Sequence, residues 1–148
     1  MEQLHVNQAV ELIDPLIGLS GNLANLSAFL YDLLPGLNWA GFYLMKDGGL
    51  ILGPFQGKIA CTRIAVGKGV CGTSVLKQET IVVPDVHLFP GHIACDSASE
   101  SEIVVPIIKD GEVLGVLDID APTKNRFSQA EKKFLEAFVK EAVLKCFE

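Results

Sequence analysis

The sequence has no Cys-x-x-Cys pair, no run of lysine or arginine, and no apolar stretch near the ~20 residues that span a bilayer. Each absence removes a class of protein. Without close-set cysteine pairs, the four cysteines fit neither a structural zinc site nor a disulfide framework. A formal charge of −6, from 12 basic and 18 acidic residues, argues against nucleic acid and anionic membrane as partners. Gly67-Lys68-Gly69 lacks the Gly-x4-Gly-Lys-Ser/Thr pattern of a phosphate loop. The start, Met1-Glu2-Gln3-Leu4-His5, lacks the basic flank and apolar core of a signal peptide, so a cytoplasmic location is expected. In that compartment thiols are reduced at rest, and a disulfide is more often transient and catalytic than structural.

The 148 residues are read as a single domain, 1–148. A chain this long buries roughly 70% of its unfolded surface and needs neither metal nor disulfide to stay folded. Val6, Ala9, Val10 and Ile13 have helical spacing, ended or kinked by Pro15. A longer stripe from Leu23 to Leu34 stops at Pro35-Gly36. Two hairpins follow the helices. The first runs Asn38 to Met45, turns through Lys46-Asp47-Gly48-Gly49, and resumes at Leu50-Ile51-Leu52. The second pairs Ile103–Ile108 with Val113–Asp120 around Asp110-Gly111, a dipeptide suited to positive φ, with Pro106 expected at an edge or bulge. Between them, Ile59–Ala65 and Thr80–Val83 read as short strands and Gly69–Gln78 as a short helix. Ser128 and Glu131 form a capping box for a C-terminal helix. Strand hairpins grouped between helices predict an α+β fold with a mainly antiparallel sheet.

Cysteines and acids carry the candidate chemistry. Pro84 to Ser99 is the longest irregular stretch, and a loop that long in a compact domain is usually functional. Cys95 sits in it among small and polar residues, which reads as an accessible thiol, either idle or nucleophilic. Cys61 and Cys71 in the same central region favour the second, because an oxidised thiol is reduced by exchange with a neighbour. Cys61 is placed on a strand, as a resolving partner or a small packing residue. Cys71 is placed at a helix start, where the dipole and Lys68 would lower its pKa; packing is the alternative. Cys146, in the last helical turn, reads as a bystander. Glu102, Asp118 and Asp120 stand in or beside strands, where acids are scarce; they mark either a solvated strand end or a pocket for an ammonium group. Trp39 and Tyr43 share a strand face, as core or as an apolar wall for a methyl or thioether. His87 and His92 have the separation of paired metal ligands, but the loop context favours solvent-facing histidines and no metal.

From about Asn38 to Glu141 the chain resembles the free methionine-(R)-sulfoxide reductases, a catalytic branch of the GAF domains. The resemblance lies in Gly53-Pro54-Phe55-Gln56-Gly57, Cys61, Gly67-Lys68-Gly69-Val70-Cys71-Gly72, Val83-Pro84-Asp85-Val86-His87, Phe89 to Ser97, Ser101-Glu102-Ile103-Val104-Val105-Pro106 and Gly115 to Asp120. It implies a GAF-like fold, a central six-stranded antiparallel sheet with helices packed on it, often as a homodimer. It implies Cys95 as nucleophile, Cys61 as resolving partner and Cys71 as auxiliary thiol. Glu102, Asp118 and Asp120 become substrate-binding acids, and Trp39 and Tyr43 an aromatic wall. The implied partners are free methionine sulfoxide and a dithiol reductant such as thioredoxin, with no cofactor. The competing expectations are a small-ligand-sensing GAF module, which binds without turnover, and a thiol redox sensor.

Overall fold

The computed structural model describes residues 3–92 and 97–148. Helix α1, Gln3–Leu12, turns the buried Val6 and Ala9 inward. A single turn at Pro15–Ile17, capped by the Asp14 side chain, leads into α2, Gly18–Leu33, which buries Leu23, Leu26 and Leu30. Proline at the first position of that turn forfeits no hydrogen bond, so the chain bends there and resumes as helix.

Six strands follow: β1 Trp39–Lys46, β2 Gly49–Gly57, β3 Arg63–Ala65, β4 Ile81–Val83, β5 Ser101–Lys109 and β6 Glu112–Ala121. They form one sheet in the order β3-β2-β1-β6-β5-β4, with every pair antiparallel. Both hairpins close on two-residue turns. Asp47 and Gly48 have φ of 51° and 81°, Asp110 and Gly111 have 51° and 80°, and positive φ at both central positions matches the strand twist. In β2 the register slips opposite Gly41 to Tyr43, which places Pro54 in a bulge where its missing N–H costs no ladder bond. Pro106 lies beyond the short stretch where β4 pairs with β5, so on that side it faces no strand.

Alternation along the strands divides the sheet into two chemically different faces. Ala40 and Phe42 of β1, Ile103, Val105 and Ile107 of β5, and Leu117, Ile119 and Ala121 of β6 pack under α1, α2 and the C-terminal helix. That helix, α4, Gln129–Phe138, starts at the capping box of Ser128 and Glu131 and continues through Val139–Val143 and Leu144–Phe147. The other face carries Trp39, Tyr43, Val104 and Val116 and is covered by α3, Gly69–Lys77. Glu102, Asp118 and Asp120 share the parity of this second face. No helix among the described residues is long and apolar enough to cross a membrane.

Candidate active site

Cross-strand register brings the acids together. Asp120 pairs with Glu102 on β5 and with Trp39 on β1, while Asp118 pairs with Val104 and with Gly41. Gly41 has no side chain to fill the face between Trp39 and Tyr43, and a methyl there would run into Phe55, 2.7 Å from its Cα. The start of α3 closes over this patch. The resulting cavity is lined, among the described residues, by Trp39, Tyr43, Ala60, Ile64, Lys68, Gly69, Val70, Cys71, His92, Ser99, Glu102, Asp118 and Asp120. It measures about 40 Å³, room for a few water molecules.

Trp39, Tyr43 and Phe55 form an aromatic stack, with centroids 5.9 Å apart for Trp39–Tyr43 and 5.0 Å for Trp39–Phe55. Both polar ends of the stack are tied to the connection after β2. Trp39 Nε1 donates to the Lys58 carbonyl at 3.1 Å, and the Tyr43 hydroxyl donates to the Cys61 carbonyl at 2.9 Å. Burial pushes the Tyr43 phenol well up, with the negative charge of Asp118 adding to it, so the group stays a donor.

The acids are not at a solvated strand end. Glu102 is 7% exposed and Asp118 6%. Burial raises the Glu102 carboxyl far above its usual range, and the charges of Asp118 and Asp120 raise it further. Burial also raises Asp118, but hydrogen bonding from the Glu102, Cys71 and Asp120 side chains opposes that rise. Of this coupled pair, Glu102 is the carboxyl whose charged form both burial and its neighbours disfavour, so it holds its proton the more strongly.

The thiols differ from the sequence expectation in two respects. Cys71 is indeed the third residue of α3, but its thiol is pushed well above its normal value by burial, then by Asp118 and Glu102. Desolvation and neighbouring carboxylates outweigh the helix dipole and Lys68, whose side chain is exposed. Cys61 is not on a strand, because β3 begins only at Arg63; it lies in the connection after β2 and is disulfide-bonded. Cys71 and Cys146 are free and buried. Cys95 lies outside the described residues.

Two polar lining residues, His92 and Ser99, are not expected there from the sequence. His92 was expected to face solvent with His87. His87 does, pairing with Glu100 at 3.0 Å, but the His92 ring lines the cavity with Nε2 3.9 Å from Glu102 Oε1. Burial lowers its pKa, as does the charge of His87. Ser99 is buried and accepts from Asn38 Nδ2 at 3.0 Å. Only the position of His92 beside the Cys95 segment could have signalled its role, since nothing in its spacing fixes the direction of a loop side chain.

A six-stranded antiparallel sheet with an acid-lined cavity under one helix defines the class: residues 16–144 match the GAF domain model. The free methionine-R-sulfoxide reductase of Escherichia coli is 55% identical over 117 residues, 79% of this chain and 71% of that one. The reduced form of fRMsr of Staphylococcus aureus superposes with a TM-score of 0.93 at 53% identity, covering 99% of this chain and 94% of that one. The free methionine-R-sulfoxide reductase from Neisseria meningitidis, in complex with its substrate, gives 0.92 at 40% identity, covering 98% and 87%. The chain belongs to the free methionine-R-sulfoxide reductase family of GAF domains.

Proposed function

We propose that this protein reduces free L-methionine-R-sulfoxide to methionine. One observation carries the reading beyond family membership: Glu102, Asp118 and Asp120 converge in a buried cavity walled by Trp39 and Tyr43. Buried carboxylates need a compensating cation, and the α-ammonium of a free amino acid supplies one. The aromatic wall suits the ligand's methyl and sulfur. Entry requires the small cavity to widen, and Lys68, the most exposed of its lining side chains, has room to move.

In the reaction, the Cys95 thiolate attacks the sulfoxide sulfur while Glu102 protonates the oxygen. Methionine leaves, and Cys95 is left as a sulfenic acid. The Cys61 thiol condenses with it, releasing water and forming a disulfide. A dithiol of the thioredoxin class reduces that disulfide, and two electrons overall pass from dithiol to sulfoxide. The protonated state favoured at Glu102 supports its role as donor. The disulfide at Cys61 supports its role as resolving thiol. Cytoplasmic location and a homodimer belong to the same reading.

Methionine release from the R epimer by the reduced protein with excess dithiol tests it, with the S epimer and Cys95→Ser in parallel. Turnover of R alone, lost in the variant, is expected. Folded, reduced protein that turns over neither epimer would leave a ligand-binding GAF domain. An N-acylated peptide sulfoxide lacks the ammonium and strands the buried acids, so its turnover is expected to be poor.

A further inference from the structure

We propose that Cys71, Glu102 and Asp118 form a binding site for a borderline-soft divalent cation such as Zn²⁺, which competes with the amino-acid ligand for the cavity. Each residue offers one ligand atom, and the three atoms lie within 4.8 Å of one another. They come from three elements, α3, β5 and β6, so the sheet and the helix packed on it set their spacing. Asp118 is 6% exposed and lines the cavity, and its Oδ1 is buried with no hydrogen-bond partner among the described residues.

The sulfur decides the class of ion. An ammonium group is bound through oxygen acceptors and gains little from a thiol. One sulfur with two carboxylates is a donor set for zinc or its congeners, whereas Mg²⁺ and Ca²⁺ prefer oxygen throughout. His92 Nε2, 3.9 Å from Glu102 Oε1, stands next in line as a nitrogen ligand. Binding moves no electrons. The cation displaces the Cys71 thiol proton and the proton held by Glu102, and both pass to solvent. The two positive charges of the cation replace the two protons released, so the cluster keeps its net charge while three charged ligand atoms share one cation. The competition rests on the reading of these acids as the ammonium site; the cation site itself does not.

The experiment is a titration of the full chain carrying Cys61→Ser and Cys95→Ser with CdCl₂. Cadmium is the probe because its thiolate complexes absorb in the ultraviolet, and the background removes two competing thiols. A saturable band is expected at one equivalent, abolished by Cys71→Ser and weakened at least about tenfold by Asp118→Asn. Cys71→Ala, with circular dichroism and thermal unfolding, controls for loss of fold. ZnCl₂ is expected to raise the unfolding temperature of the background protein but not of the Cys71 variants. No band at millimolar CdCl₂, or a band retained in folded Cys71→Ser, overturns the site. Loss of the band on adding L-methionine-R-sulfoxide supports competition; survival of the band at saturating sulfoxide overturns it. A Cys71-dependent cadmium band in the background protein, when the parent protein turns over neither epimer, supports the cation site and removes the reductase reading.

Discussion

Glu102 and Cys71 are groups whose chemistry is set by neighbours distant in sequence. Each would ionise in its usual range in water; buried beside Asp118, both hold their protons. Glu102→Gln keeps the shape and removes the transferable proton. Turnover of the R sulfoxide is expected to fall by about 10²- to 10⁴-fold in kcat, and a variant with unchanged kcat would move the donor role elsewhere. Tyr43→Phe removes the hydroxyl that holds the Cys61 carbonyl at 2.9 Å. Urea unfolding is expected to show a loss of roughly 1 kcal/mol; equal midpoints would mean that the hydrogen bond contributes nothing net.

Elements whose signals are local were legible in the sequence. The Asp-Gly turn, the capping box, the Pro35-Gly36 stop and the stripes of the long helices each depend on residues within a few positions of one another. Ser128→Ala removes the hydroxyl that accepts from the Glu131 N–H and leaves the return bond from the residue 128 N–H to the Glu131 carboxylate in place, and chemical denaturation is expected to report about 1 kcal/mol lost. Cys61 shows where local signals fail. The run Ile59 to Ala65 has strand composition, yet only Arg63–Ala65 forms a strand against β2, with one further backbone bond from the Leu52 N–H to the Thr62 carbonyl at 3.0 Å. Gly41 marks a constraint from tertiary contact. Its replacement by alanine is expected to destabilise by roughly 1–3 kcal/mol through overpacking against Phe55. Wild-type stability in that variant would show that the β2 bulge absorbs the methyl.

At the scale of the whole molecule, two oppositely shifted carboxyls shape stability against pH. Glu102 keeps its proton when folded at pH values where an unfolded glutamate, with its ordinary midpoint of 4.5, has lost it. Its contribution is full below that midpoint and is lost as pH rises toward the raised folded value. Glu131 behaves oppositely. Burial would raise it, but hydrogen bonds from Arg126 and Ser128 override that and lower it. Its contribution is present above 4.5 and lost as pH falls through the lowered value. Urea midpoints are expected to decline as pH rises above the unfolded midpoint of 4.5, and to decline less in Glu102→Gln. Parallel slopes in the two proteins would show that Glu102 ionises normally.

The sequence by itself determined the helices, both hairpins, the antiparallel sheet and the family, because these rest on periodicity, turn chemistry and runs of adjacent residues. It also named Trp39, Tyr43, Glu102, Asp118 and Asp120, whose strand parity puts them on one face. Only the tertiary structure decided that this face is closed over by α3 rather than solvated, and that Cys71 and His92 join the acids there. Ionisation was decided at the same level. Desolvation and charge repulsion act through space, so the protons on Cys71 and Glu102 depend on what the fold packs around them, not on what precedes or follows them in the chain.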